Sequence, residues 1–223
     1  MNYYSLHPKF YIAVDCIIFG FNGTGLDLLL LKRNFEPAKG EWSLMGGFVQ
    51  EDEDIHEAAV RVLRELTGLD QVYLEQIKAY GEIDRDPGER VISIVYFALV
   101  NRHNYDRQLV KEHDAHWIPL KERPHLIFDH DKMVEHAITR LQLKSRSEPI
   151  GVNLLPPEFT LTQLQKLYEA INDRTYDKRN FRKKILEEGF IEKTGNIDKV
   201  NSRKGAALYR FNEQAYPELL RTK

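Results

Sequence analysis

The sequence has very little cysteine and no long apolar run. Its single cysteine, Cys16, cannot form an internal disulfide, which excludes a small secreted domain held together by disulfides. The longest apolar run, Val91–Val100, contains Ser93 and has about half the length that a membrane-spanning helix needs. The first ten residues lack the basic segment and apolar core of a signal peptide. Together these absences predict a soluble, cytoplasmic, globular protein with no membrane partner.

The net charge is also small, but it is unevenly distributed. The formal charge is −2 overall. Residues 150–223 contain 14 basic and 10 acidic side chains, whereas residues 1–149 contain 18 and 24. An acidic body followed by a basic segment is a hint of nucleic-acid contact. Because basic surface often serves only solubility, this hint needs a motif to support it.

Two patterns of secondary structure are joined by a polar stretch. In the first, apolar runs predict strands over 11–21, 27–33, 73–82 and 91–100, and helical spacing predicts helices over 55–67 and 130–143. Residues 145–157 are polar and then contain Gly151, Pro156 and Pro157, which is typical of a linker. We therefore predict domains at 1–148 and 158–223, with a linker at 149–157.

A spaced set of glycine, arginine and acidic residues begins at Gly47. Five residues separate Gly47 from Glu53, seven more lead to Arg61, and Glu65 and Gly68 follow. The spacing resembles the Nudix box, in which glycine, five residues, glutamate and seven residues precede an arginine and several glutamates. The segment 42–47 also fits, although Met45 stands where the family usually has proline. The resemblance implies an α+β fold, a mixed sheet sandwiched by helices, over residues 1–148.

The box has lost most of its acidic side chains. Nudix hydrolases cleave a diphosphate with Mg²⁺ or a similar hard cation, which several converging carboxylates must hold. The three matching helix positions are Val62, Glu65 and Leu66, so one carboxylate remains. Val62 and Leu66 fall within the apolar stripe of the predicted helix. We therefore predict no metal ligand, no catalytic residue and no cofactor, and interpret Arg61 and Glu65 first as a structural ion pair.

The basic C-terminal region has the pattern of a winged helix-turn-helix. Leu161, Leu164, Leu167, Tyr168 and Ile171 predict one helix, and Asp177 caps a second that ends before Gly189. In the second helix Phe181, Ile185 and Leu186 are predicted to face inward. Two strands, over 190–193 and 207–211, then flank the basic tip 201–205. The expected contacts with double-stranded DNA are Lys178, Arg179, Asn180, Arg182 and Lys183 on the helix, with Arg203 and Lys204 on the wing.

A Nudix-like domain followed by these helix and wing motifs resembles the Nudix-related transcriptional regulators of bacteria. The resemblance spans nearly the whole chain and implies a homodimer that represses or activates metabolic genes in answer to a small-molecule effector. Some members of the family regulate NAD metabolism and sense ADP-ribose, and others respond to pentoses such as arabinose. By position, the candidate effector-binding residues are Trp42, Phe48, Arg61, Glu65, Arg85 and Arg90.

The effector and the activity remain open between alternatives. ADP-ribose needs arginines or a metal to balance its diphosphate, whereas a neutral sugar needs only hydrogen bonds and an apolar wall. Because the metal route is damaged, an arabinose-like sugar is preferred here over ADP-ribose. An active hydrolase of ADP-ribose, and a second domain that binds RNA or protein instead of DNA, are the competing hypotheses.

Overall fold

A computed structural model describes residues 3–69, 72–102, 114–200 and 204–212. The helices of the first part are α1 (Ile55–Thr67) and α2 (His130–Lys144). Its strands are β1 (Tyr11–Phe21), β2 (Leu26–Lys32), β3 (Trp42–Ser43), β4 (Met45–Phe48), β5 (Tyr73–Tyr80), β6 (Val91–Val100) and β7 (Ala115–Pro119). The second part contains β8 (Phe159–Thr160), α3 (Leu161–Asn172), α4 (Lys178–Glu187), β9 (Ile191–Asp198) and β10 (Ala206–Phe211).

Strand β1 lies at the centre of a mixed sheet. The strands follow the order β3-β2-β1-β6-β5, with β4 paired to β1 and β7 paired to β2. β1 runs parallel to β6 and antiparallel to β2 and β4. Both of its faces are buried, since Ile17 and Phe19 belong to one apolar cluster and Cys16 and Ile18 to another. This explains why the sequence of β1 is a continuous apolar run, as is typical of a strand covered on both sides.

Helix α1 covers one face of the sheet, and its ends have the expected caps. The Asp54 side chain accepts a hydrogen bond from the Glu57 amide, and the Glu57 side chain accepts one from the Asp54 amide. Gly68 ends the helix with a φ of 69°, which glycine adopts at little cost. Ala58, Ala59, Val62 and Leu63 pack against the cluster that contains Cys16, while α2 packs on the opposite face. The predicted sandwich is confirmed.

The stretch predicted as a polar linker is partly buried. It contains a short 3-10 helix, Ile150–Asn153, and Ile150, Leu154 and Leu155 belong to the same apolar cluster as Ile17. A Cβ added to Gly151 would lie 2.9 Å from the Phe211 ring, so the chain passes close to β10 here. The prolines and the serines made the stretch look exposed, but its three aliphatic side chains hold it against both parts of the protein.

The second part has two helices followed by an antiparallel hairpin, as predicted. Thr160 and Gln163 form a capping box at the start of α3. Strand β9 extends to Asp198, beyond the predicted 190–193, because its polar half still pairs with Ala206 and Ala207. The inward orientation predicted for Leu186 is wrong, since its side chain is 47% exposed. Phe181 and Ile185, four residues apart, form the buried stripe, and Leu186 lies about 100° further around the helix.

The helices in the described ranges are too short or too polar to span a bilayer.

Candidate functional site

The basic face of α4 is the first candidate surface. Asp177 caps the helix by accepting a hydrogen bond from the Asn180 amide. Phe181 and Ile185 are buried against the rest of the domain, which leaves Lys178, Arg179, Asn180 and Lys183 exposed. Lys183 lies 3.9 Å from Glu187, a weak contact between exposed side chains. The four exposed side chains can thus reach the groove or the phosphates of duplex DNA.

Arg182 differs from its neighbours because its side chain is half-buried. Its Nη2 donates to the hydroxyl oxygen of Thr162 on α3 at 3.3 Å. The structure therefore turns this predicted DNA contact towards the supporting helix. Thr162 was missed by sequence reasoning, and no sequence signal linked it to a residue 20 positions away.

The hairpin of β9 and β10 carries the other basic residues. Lys204 is exposed near the tip, and Gly205 follows with a φ of 76°. Arg203, also predicted to contact DNA, lies outside the described residues. Lys193 and Lys199, which the prediction omitted, are exposed along the hairpin and add to its positive charge. Lys193 lay within the predicted strand, whereas Lys199 could be placed on the hairpin only once β9 was known to continue past residue 193.

Arg61 on α1 is held by three acceptors. Its Nη2 donates to Glu53 at 2.6 Å and to the Phe48 carbonyl at 3.0 Å, and its Nη1 lies 3.1 Å from Glu65. The hydrogen bonds from Arg61 lower the pKa of Glu53 to about 2. The structure thus joins three predicted effector residues, Arg61, Glu65 and the backbone of Phe48, around one ion-paired cluster. The Arg61 guanidinium therefore already donates hydrogen bonds to protein acceptors within this cluster.

The Nudix-box positions offer a poor donor set for a divalent cation. Val62 is 2% exposed and packs directly against Gly47, where an added Cβ would lie 2.7 Å from its methyl group. Leu66 is half-buried against the same apolar cluster. Glu65 points outward with 55% of its side chain exposed, and Glu53 is bound to Arg61. Hard cations need several convergent oxygen ligands, which these residues do not supply.

Arg85 belongs to the loop between β5 and β6, and its buried side chain is part of a polar network. It forms a bidentate pair with Asp129, at 2.8 and 3.0 Å, and its Nη2 is 3.6 Å from Asp15. Ser93 donates to Asp15 from the neighbouring strand. The His130 Nδ1 accepts from the Leu44 amide, and burial lowers the pKa of this imidazole. Arg85 therefore fastens the loop to the start of α2.

A cavity of about 380 Å³ opens beside this network. It is lined by Glu82, Ile83, Asp84, Arg85, Pro87, Phe128 and Asp129. The Arg33 guanidinium lies 3.9 Å from the Phe35 ring and 5.6 Å from the Phe128 ring, which puts a cation at its edge. Burial lowers the pKa of Arg33. Sequence reasoning missed Arg33, because a single arginine after a strand has no distinguishing pattern.

The remaining predicted effector residues have separate partners. The half-buried Trp42 ring packs against His116 at 5.4 Å and has the Lys32 ammonium 5.2 Å away. The exposed Phe48 ring packs on Tyr11. Arg90 donates to the carbonyls of Gly81 and Glu82 and so closes the base of the loop. The Trp42 and Phe48 rings and the Arg90 side chain therefore have described contacts outside the Arg61 cluster.

The two parts of the chain meet at the end of α3. The Gln142 side chain on α2 donates to the Ile171 carbonyl at 3.0 Å, and Asn172 donates to Ser145 at 3.1 Å. Lys121 forms an ion pair with Asp173. These contacts fall on three consecutive residues, just before the turn that leads into α4.

Two family models match the chain in sequence order. The NUDIX domain model matches residues 9–137, and the model of the NrtR DNA-binding winged helix domain matches residues 151–211. Both folds predicted from the sequence are thereby confirmed.

Two characterised relatives are similar to the chain. The ADPR responsive transcriptional repressor NtrR of Acinetobacter baylyi is 36% identical over 214 residues, which cover 94% of this chain and 85% of the relative. An ADP-ribose pyrophosphatase of Methanocaldococcus jannaschii is 38% identical over 131 residues, which cover 58% of this chain and 73% of that enzyme. The likeness to the repressor extends over both domains.

Solved structures give the same result. Shewanella oneidensis NrtR in complex with a 27-mer DNA superposes with a TM-score of 0.82 at 28% identity, covering 92% of this chain and 95% of that chain. The NUDIX domain of the same protein in complex with ADP ribose superposes with a TM-score of 0.55 at 30% identity, covering 61% of this chain and 92% of that chain.

Proposed function

Since this chain belongs to the Nudix-related bacterial transcriptional regulators that carry an NrtR winged helix, we propose that it is a repressor that binds operator DNA and responds to ADP-ribose. The observation that carries the proposal is the exposed basic face of α4, in a chain that resembles a DNA-bound regulator over 92% of its length. Arginine and asparagine read guanine and adenine, and lysine holds phosphates. This role implies a cytoplasmic protein.

ADP-ribose replaces the sugar that the sequence favoured. The A. baylyi relative is an ADPR responsive repressor, and the S. oneidensis NUDIX domain was crystallised with ADP ribose. The names of these relatives point to ADP-ribose, and none of them points to arabinose or to carbohydrate metabolism. The sugar was preferred because the metal site is eroded, but arginine can balance a diphosphate without a metal.

Arg33 is the arginine best placed for that role in the proposed effector site. It lies against Phe128, which also lines the cavity beside Arg85. Its Nε donates to the Phe35 carbonyl at 3.2 Å, whereas Arg61, Arg85 and Arg90 each donate to two or more protein acceptors. Arg33→Ala should therefore reduce the thermal stabilisation that ADP-ribose produces, and Lys39→Ala, an exposed change on the same loop, should not. Arabinose should stabilise neither protein.

The residues of the Nudix box favour a role as an effector receptor over a role as an enzyme. Val62 and Leu66 stand at two of the three box positions that would carry carboxylates, so the residues present do not fit the hydrolytic cation. The likeness to an ADP-ribose pyrophosphatase favours hydrolysis as the second candidate. Incubation of the chain with ADP-ribose and Mg²⁺ distinguishes them, since release of AMP above background would support the enzyme and reject the receptor.

Electrophoretic shift with DNA from upstream of the gene tests the repressor itself. We expect binding that weakens steeply as salt rises, because phosphate contacts release counterions. The family resemblance also predicts a homodimer, as paired half-sites would require, and sedimentation of the chain on that DNA would measure it.

A further inference from the structure

Arg182 is the one member of the predicted DNA-contact set on α4 that is not exposed. Lys178, Arg179, Asn180 and Lys183 are all exposed, whereas Arg182 is half-buried. At 100° per residue, Arg182 lies beside the stripe formed by Phe181 and Ile185, and Lys183 lies on the opposite side of the helix. Its position therefore directs it towards the neighbouring helix and away from the centre of the recognition face.

The nitrogen atoms of the Arg182 guanidinium also contact the rest of the domain. Nη2 donates to the Thr162 hydroxyl at 3.3 Å. Nε is fully buried and has no hydrogen-bond partner in the described part of the chain. Because Nε is enclosed by protein and Nη2 donates to Thr162, Arg182 must give up or share the Thr162 contact to present a pair of donors to a guanine.

The contact crosses between the two helices of the helix-turn-helix. Thr162 is the second residue of α3, whereas Arg182 lies in the middle of α4. Phe181 of α4 packs on the Tyr168 ring of α3 at 5.7 Å and on the Tyr176 ring at 5.5 Å. Two side chains of α3, Gln165 and Glu169, hold the Tyr176 backbone just before α4 begins. Apolar contacts are not directional, so a hydrogen bond at the end of the interface restricts how α4 rotates on α3.

We infer that Arg182 is a positioning residue, which sets the orientation of α4 on α3 through Thr162 and supports operator recognition without reading a base pair. The inference rests on the proposed DNA-binding function. The exposed side chains of α4 then bind bases and phosphates. Arg182 instead sets the orientation of the helix that carries them.

A double-mutant cycle on operator affinity tests this division. Arg182→Ala and Thr162→Val should each weaken operator binding by about fivefold to tenfold, the order of one hydrogen bond. The double variant should bind no more weakly than Arg182→Ala alone, because both changes remove the same contact. Thr162→Ser, which keeps the hydroxyl, should retain most of the affinity. In the control cycle, Arg179→Ala and Thr162→Val should weaken binding additively.

Affinity for single-base-pair variants of the operator separates a positioning residue from a base-reading one. Arg182→Ala should weaken binding to all of them by a similar factor, whereas loss of a base-reading arginine relaxes the preference at one position.

Additive effects of Arg182→Ala and Thr162→Val, or a relaxed preference at one base pair, would overturn the inference but would not contradict the proposed repressor function. Failure of the unmodified chain to bind duplex DNA would overturn both. If Arg182→Ala does not fold, Thr162→Val decides, since full affinity in that variant also contradicts the inference.

Discussion

Two aliphatic side chains, Val62 and Leu66, occupy helix positions where a Nudix hydrolase carries carboxylates. Both fit the apolar stripe that Ala58, Ala59 and Leu63 already form against the sheet. The change could therefore occur without loss of the fold, because the substituted positions gained packing when they lost charge. This loss was visible in the sequence, since the spacing of the box is intact and only the residue types differ.

Val62→Ala should lower the free energy of unfolding by about 2 kcal/mol, because it removes two buried methyl groups and leaves a cavity under Gly47. Val60→Ala, on the exposed side of the same helix, is the matched control and should have a much smaller effect. Urea denaturation of the two variants measures the difference. Equal costs at the two positions would contradict the packing described for α1.

Glu53 should make the stability of the domain depend on pH in acid. Arg61 lowers the pKa of Glu53 from 4.5 to about 2 in the folded chain, so the unfolded chain binds this proton first. The stabilisation is complete above pH 4.5 and is lost as the pH falls towards 2. The difference in unfolding free energy between the unmodified chain and Glu53→Gln should therefore shrink over that range.

Urea unfolding at pH 7, 4 and 3 measures this change, and Glu51→Gln controls for removing a carboxylate from the same loop. A difference that stays constant with pH would contradict the Glu53–Arg61 pair.

Among the elements, those with strong periodicity were predictable and those fixed by tertiary contacts were not. Strands β1 and β6 and helix α1 begin and end at the predicted residues, since their apolar runs and the Gly68 cap are local signals. Leu186 was misplaced because one residue separates the buried stripe from the exposed face. The extension of β9 and the burial of Leu154 depend on partners that the local sequence does not reveal.

In the candidate site, too, residues placed by helical spacing were predictable and contacts made by tertiary structure were not. The basic face of α4 follows from helical spacing alone, so four of its exposed residues were predictable. The Arg61–Glu65 pair was predicted from the spacing of the two residues and is present. The Phe48 carbonyl that binds Arg61 and the Asp129 carboxylate that binds Arg85 are 13 and 44 residues away, and the sequence does not show them.

Helix α4 should supply sequence discrimination. Arg179→Ala should weaken operator binding by about tenfold and reduce the salt dependence, because an exposed guanidinium can bind either a base edge or a phosphate. Lys166→Ala removes a basic residue from α3 in the same domain and should leave operator affinity nearly unchanged. Fluorescence anisotropy at three salt concentrations checks both. Equal losses would mean that net charge, and not the α4 face, determines binding.

The contact between α2 and the end of α3 should couple the two domains. Gln142→Ala removes the bond to the Ile171 carbonyl just before the turn into α4. We expect operator binding without effector to be retained and the change in affinity on adding ADP-ribose to fall severalfold. Thr139→Ala, an exposed change on α2, is the control. Anisotropy titrations with and without ADP-ribose measure the coupling, and an unchanged response would exclude this contact as a route.

For the molecule as a whole, one apolar cluster extends from the sheet into the winged helix. Phe19 and Leu28 belong to it together with Leu164 and Phe181, and the segment around Leu154 connects them. Because packed interiors deform little, a change in the Nudix-like domain can be transmitted to α4 as a change in its orientation. The cluster lies on the α2 face of the sheet, whereas Val62 and Leu66 of the box pack on the opposite face.

The most direct test is a titration of labelled operator DNA with the full chain, with and without ADP-ribose, in the presence of Mg²⁺ and with the nucleotide recovered afterwards. We predict that ADP-ribose changes the operator Kd by about tenfold or more, a typical coupling between two sites, that arabinose has no effect, and that ADP-ribose is recovered intact. An operator Kd indifferent to ADP-ribose, or ADP-ribose cleaved to AMP during the titration, would contradict the account.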